Sequence, residues 1–206
     1  GGLSPADFDD ALRNFSSAVD AAAMNVSIWW PCGLGAGRNL TATFARMPRL
    51  DSLFFPGGDG GALNLTLIGA TMDAARASHP DALAWVSLQS LTQDELDEAL
   101  AALRKPSWRR VVDGVVWGPH TRLPLHEFAA ALPDGYLLRQ YPDICHSTEA
   151  QYGLRAWDHA WAFTHGRSSV NPSPAFFAHV MQQTAAAVGA SAQHVGVGAY
   201  SEGIAD

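Results

Sequence analysis

No apolar run in this chain approaches the roughly 20 residues of a membrane span, and no stretch of its 206 residues is of low complexity. Basic residues are scarce: 13 Lys and Arg stand against 20 Asp and Glu, for a formal charge of -7. Nucleic-acid backbones are held by clustered Lys and Arg, so this balance argues against such a partner. The one dense basic spot, KPSWRR at 105–110, reads as a solvated helix end. Two cysteines, Cys32 and Cys145, are too few for a disulfide scaffold. Also missing are a G-x-G-x-x-G phosphate loop, a G-x-S-x-G elbow and an H-E-x-x-H metal motif. GLGAG at 33–37 lacks both a third glycine and a following Lys-Ser/Thr, and is expected to be a flexible loop. No cofactor and no metal are expected. With no starting Met, no leader, and an end at YSEGIAD directly after a strand-like run, the chain reads as a fragment of a longer protein.

What is present is ordinary globular material, 48% hydrophobic and 16% charged. That is enough for one sizeable core, so residues 1–206 are expected to form a single domain. Four of the five Asn, at 14, 25, 39 and 64, open glycosylation sequons, while Pro172 disqualifies Asn171. This enrichment tilts the expected compartment toward the secretory route.

Helical and strand patterns alternate along the chain. Ser4-Pro5 is an N-cap followed by proline at the first helical position, and Phe8, Ala11, Phe15 and Val19 then recur at helical spacing. NVSIWWP (25–31) and SLFFP (52–56) read as strands. A helix is expected from about Asn64 to Ser78, with Leu65, Ile68, Met72 and Ala75 on one face, and a strand at ALAWVSLQ (82–89). TQDE (92–95) is a capping box opening a helix that buries Leu96, Leu100 and Leu103 and stops before Pro106. DGVVWG (113–118) and YLLRQYP (136–142) are further strands around a short helix near 124–132. AWAFTHG (160–166) fits a strand or a helix end, Ser173-Pro174 opens a helix, and HVGVGAYSEG (194–203) is the last strand.

Seven strand centres, near Ile28, Phe54, Trp85, Val115, Leu138, Phe163 and Val197, lie roughly 23 to 34 residues apart, against about 31 for one unit of a (β/α)8 barrel. The strands are apolar throughout, as expected of a parallel sheet covered on both faces. The expected fold is therefore α/β, an incomplete (β/α)8 TIM-type barrel of about seven strands whose first strand lies upstream.

A barrel of this kind carries its site at the carboxyl ends of its strands. Those ends hold Trp29, Trp30, Asp59, Ser87, Gln89, Trp117, His120, Arg122, Tyr141, Asp143, His146, His165, Arg167, Tyr200 and Glu202. The opposite ends carry ordinary turn residues such as HPDA and LPDG. Aromatic faces that stack on C–H surfaces, with charged groups that grip hydroxyls, suit a sugar. Hydrolysis of a glycosidic bond needs two carboxyl groups, drawn from Glu202, Asp59 and Asp143. Glu202 follows an apolar strand, where desolvation would suit a general acid. Asp59, set among glycines in FFPGGDGG, would remain ionised. The sugar platform is expected from Trp30, Trp117, Tyr141 and Tyr200. His120, Arg122, His146, His165 and Arg167 would orient hydroxyls or an acidic group. The alternatives are a non-catalytic glycan-binding barrel and a metal-dependent hydrolase using rim His, Asp or Glu.

FFPGGDGG, GVVWGPHTR, RQYPDICHS, WAFTHGRSSVNPSP and GAYSEG resemble, in order over about residues 25 to 203, segments of glycoside-hydrolase-like barrel proteins distantly similar to the hexosaminidase group. The resemblance implies a barrel, carbohydrate as the substrate or ligand, and a catalytic acid at Asp59. Substrate-assisted hexosaminidases carry two adjacent acids at that loop. Here Gly60 follows Asp59, a departure that speaks against the N-acetyl-assisted mechanism and leaves an ordinary two-carboxylate mechanism or none.

Overall fold

The structure, a computed structural model, describes residues 4–58, 61–118, 120–141 and 144–145, with 178–179, 182, 188, 194–198 and 200–201 beyond them. The elements run α1 (Pro5–Ala21), β1 (Ser27–Trp29), α2 (Leu40–Ala45), β2 (Ser52–Phe55), α3 (Leu65–Arg76), β3 (Leu83–Ser87), α4 (Gln93–Leu103), α5 (Pro106–Arg109), β4 (Gly114–Trp117), α6 (Leu125–Ala131), β5 (Leu137–Gln140), β6 (Ile144–Cys145), β7 (His194–Val197) and β8 (Tyr200–Ser201). They fall into two compact units, one of residues 1–87 and 101–114, the other of residues 88–100 and 115–206. Among the described residues no helix is long and apolar enough to cross a membrane.

In the first unit β1, β2 and β3 pair in parallel, with Ile28 beside Leu53 and Leu53 beside Ala84. Helix α1 starts where Ser4 accepts the Asp7 N–H, with Pro5 in its first turn. Its inward face differs from the expected stripe: Phe15 is 48% exposed, and the buried position is Ser16. Ser16 Oγ donates to the Arg49 carbonyl at 2.6 Å and accepts the Arg49 N–H at 3.1 Å, so a polar residue replaces the aromatic one at the contact. Helix α2, which no apolar period announces, is capped by Asn39, whose Oδ1 accepts the Ala42 N–H. Thr43 and Phe44 turn inward from it. Asn64 caps α3 in the same manner, and Ile68, Thr71, Met72 and Ala75 form its buried face.

The HPDA turn stands before β3 as expected, with the Ala82 N–H donating to the His79 carbonyl at 3.0 Å, but carboxylates hold the amino-terminal strand ends of this unit as well. Asp51, one residue before β2, accepts the Val26 N–H at 2.7 Å and is gripped by Arg49 through Nε at 2.7 Å and through the second oxygen at 3.0 Å. Asp113, one residue before β4, accepts the Ala84 N–H at 2.7 Å and an Arg76 N–H at 2.6 Å. The device repeats: a carboxylate ahead of one strand receives an orphan N–H of another and is neutralised by an arginine.

In the second unit β5 and β7 pair in parallel, with a bulge between Leu138 and Arg139. Ile144–Cys145 and Tyr200–Ser201 form a separate two-stranded parallel pair, so the run expected as one last strand is two. Phe128 of α6 is buried, as are Tyr136 and Leu138 around β5. The capping box holds as expected: Glu95 accepts the Thr92 N–H at 2.8 Å, and Thr92 Oγ1 accepts the Glu95 N–H at 3.3 Å. Leu96, Leu100 and Leu103 of α4 are buried. Pro106 begins the short α5 two residues after α4, a helix start as well as a stop. Parallel pairing with intervening helices establishes the α/β class. The segment 160–166, and most of the helix expected after Ser173, lie outside the described residues.

The Arg49 hydrogen bond, followed by the Val26 N–H, holds the Asp51 carboxyl below the usual carboxylate range. A depressed carboxylate stabilises the fold above its unfolded pKa of about 3.9 and loses that contribution as pH falls through the folded value. Asp51→Asn is therefore expected to cost about 1 to 2 kcal/mol at pH 7, after allowance for partial exposure. In urea denaturation the gap to the parent should close below about pH 4. A gap that is constant from pH 7 to pH 3 would show that the charge is not what matters.

Candidate functional site

The carboxyl ends of the first unit's strands bring Trp29, Trp30, Gly57, Gly58 and Ser87 along one edge. Side chains alternate across a strand, and of the two tryptophans Trp29 is 55% exposed while Trp30 is fully buried. Trp30 packs edge-on to Phe8 at 6.1 Å between ring centroids and against Phe44 at 5.1 Å. The Arg38 guanidinium lies 4.5 Å over the Phe8 ring. The sugar platform expected at Trp30 is thus corrected: that indole is core, and the available face at this strand end belongs to Trp29. Trp85 is core, as expected.

Gly58 and Gly61 pair across Asp59 and Gly60, with the Gly61 N–H donating to the Gly58 carbonyl at 3.3 Å. Both have positive φ, 73° and 97°, where a β-carbon is strained, so the sequence needs glycine on either side. Asp59 itself lies outside the described residues, as do Asp143, His146, His165, Arg167 and Glu202.

The second unit draws several expected residues together. Gln89, buried after β3, donates from Nε2 to the Tyr141 hydroxyl and accepts the His120 N–H on Oε1 at 3.2 Å. The His120 carbonyl in turn accepts the Ser90 N–H at 3.2 Å. Tyr141 is placed by its own N–H, which donates to the Trp117 carbonyl at 3.1 Å. The turn after β4 is closed from both sides: the Gly118 N–H donates to Thr121 Oγ1 at 3.1 Å, and the Thr121 N–H donates to the Gly118 carbonyl at 2.9 Å. The Trp117 indole N–H donates to the Leu123 carbonyl at 2.9 Å, which fixes the ring. Arg122, exposed, donates from Nε to the Leu91 carbonyl at 3.1 Å. The resulting cluster of Gln89, Trp117, His120, Arg122 and Tyr141 sits where β4 and β5 end. The described part of Tyr200 is its place in β8.

Residues the sequence pattern did not single out complete this neighbourhood. Thr121 braces the turn. Arg139, two residues before Tyr141 on β5, is half-buried, and burial lowers its pKa while the nearby Tyr141 opposes that shift. An arginine inside the otherwise apolar run YLLRQYP was the available signal. Away from this cluster, at the amino-terminal end of β7 beside Leu138, His194 has an Nε2 that is buried with no partner among the described residues, and burial depresses its pKa, which favours the neutral ring. Among the described residues no three His, Cys, Asp or Glu side chains gather as a metal site. Cys32 is a free thiol, half-buried.

No family model matches this chain, and no curated protein matches it. Among solved structures it is similar to a GH18 chitinase from Cycas revoluta in complex with (GlcNAc)4, at 11% identity and a TM-score of 0.38. The similarity covers 70% of this chain and 53% of that one, so the chain spans about half the chitinase's length. Nothing about that enzyme's substrate passes to this chain through a likeness of this degree.

A β-carbon at Gly118 would overlap the Gln89 carboxamide and stand 2.8 Å from Tyr141 Cζ. Gly118→Ala is therefore expected to displace Gln89 from its hydrogen bonds to Tyr141 and His120, at a cost of about 1 to 3 kcal/mol. Urea denaturation gives the loss, and the tyrosine near-UV signal reports whether Tyr141 has lost its partner. An unchanged stability and spectrum would show that the three residues do not pack as described.

Proposed function

We propose that this chain is a carbohydrate-active glycoside hydrolase on a partial (β/α)8 barrel, cleaving with a carboxyl pair of Glu202 and either Asp59 or Asp143. The observation that carries this reading is the cluster around Gln89. Its amide, a phenol and an indole are fixed by hydrogen bonds at the carboxyl ends of β4 and β5, the edge at which α/β folds of this class bind ligands. An aromatic surface beside fixed hydrogen-bonding groups suits a polyol ring better than an apolar or an anionic ligand. Trp117 and Tyr141 supply faces for stacking in this proposal, and His120 and Arg122 supply polar contacts. Tyr200, His146, His165 and Arg167 are assigned to the same ligand on their sequence positions alone. Glu202 is the proposed general acid, and the second carboxylate the base or nucleophile.

A panel of alkyl glycosides and disaccharides, offered to the parent and to Glu202→Gln with the released sugar measured, tests the reading. Removing a general acid is expected to lower kcat by about 100-fold or more on an unactivated leaving group. Equal cleavage by both proteins would remove Glu202 from the mechanism. Glycan binding without cleavage by the parent would leave the carbohydrate ligand standing and overturn the hydrolase.

A further inference from the structure

We propose that Asn39 and Asn64 are the N-glycan acceptors of this chain, and that its other two sequons, at Asn14 and Asn25, stay unmodified. All four tripeptides satisfy the sequence rule, NFS, NVS, NLT and NLT in chain order. The fold separates them.

At Asn39 and Asn64 the side chain is exposed and, among the described residues, uses only its carbonyl oxygen, which accepts the N–H three residues on, at 3.2 Å from Ala42 and 3.1 Å from Leu67. The carboxamide nitrogen remains available. Thr41 and Thr66, the hydroxyl residues of these sequons, are exposed as well. A glycan on Nδ2 therefore leaves both caps in place, because the group it occupies is not the one that caps. Each tripeptide also lies at a helix start, where the ends fray and an extended conformation is cheap.

The other two sequons are tied down. Ser16, the hydroxyl residue for Asn14, is fully buried and bonded both ways to the Arg49 backbone in mid-α1. Drawing residues 14–16 into an extended acceptor conformation breaks that helix and its tertiary contact. Asn25 Oδ1 accepts from the Arg49 guanidinium, and Ser27, within β1, accepts from Ser52 Oγ at 2.8 Å. Asn25 and Ser27 are exposed, and what holds them is the strand: use of this tripeptide as an acceptor lifts the first residue of β1 off β2.

The transfer is a substitution at the anomeric carbon of a lipid-diphosphate-linked oligosaccharide. The Asn Nδ2–C1 bond forms, the C1–O bond to the diphosphate breaks, the lipid diphosphate leaves, and the amide proton passes to a transferase base. No oxidation or reduction takes place.

The chain, secreted from a eukaryotic host behind an added leader, is the material for the test. Glycan removal by an amidase converts each occupied Asn to Asp, so peptide mass spectrometry reads occupancy at all four positions. Conversion at 39 and 64 alone is the expected result. Conversion at 14 or 25, or none at 39 and 64 while a control sequon protein from the same cells is modified, overturns the proposal. Thr41→Ala and Thr66→Ala remove the sequons but keep both Asn caps. Each is expected to take away one glycan with no change in the melting temperature of the deglycosylated protein. Retention of the glycan in either variant also overturns the assignment.

Discussion

The end of a parallel ladder leaves backbone N–H groups with no strand partner, and how this chain satisfies them governs the rest of its first unit. Val26 and Ala84 donate to Asp51 and Asp113, carboxylates that stand one residue ahead of β2 and β4. Each carboxylate is also held by an arginine, Arg49 or Arg76. The bond from Val26 to Asp51 places Ser27 beside Ser52, and a slip of one residue would break it. Such a slip would also send every side chain of β1 to the opposite face, exchanging buried Trp30 for exposed Trp29. The clamp at the amino end thus decides which aromatic reaches solvent at the carboxyl end.

The carboxyl ends in the second unit are organised by different chemistry. There the described contacts are amide to phenol, amide to backbone, and hydroxyl to backbone, centred on Gln89. A neutral network of this kind has directional donors and acceptors but no strong field of its own. Ion pairs thus hold the amino-terminal strand ends of the first unit, and directional neutral hydrogen bonds organise the Gln89 cluster in the second.

Elements that announce themselves by local chemistry were legible in the sequence. The Ser4-Pro5 cap, the Thr92–Glu95 box, α3 and the first five strands follow from caps and apolar runs within a few residues of each other. What escaped depends on distant partners. The inward face of α1 is chosen by the Arg49 backbone, 33 residues away from Ser16, and no helical period encodes that. Helix α2 is six residues long, too short for a periodic stripe to show. Two adjacent tryptophans look equivalent as letters, and only the register of β1 tells the exposed one from the core one. At the site, Trp117, His120 and Tyr141 could be placed at strand ends from spacing. The role of Gln89 could not, since an isolated Gln near a strand end has no signature until Gly118 and Tyr141 are seen to close on it.

The two kinds of edge also respond differently to acid. Asp51 contributes only while ionised, so the amino-terminal clamp of β1 and β2 weakens once its carboxyl takes up a proton. The carboxamide of Gln89 and the hydroxyl of Thr121 do not titrate in that range, and an ordinary phenol loses its proton only near pH 10. The polar contacts around Tyr141 should therefore keep their geometry below about pH 4, where the ion-paired edge is losing stability. Acid would then limit this protein through the folding of its first unit before it disturbs the contacts around Gln89.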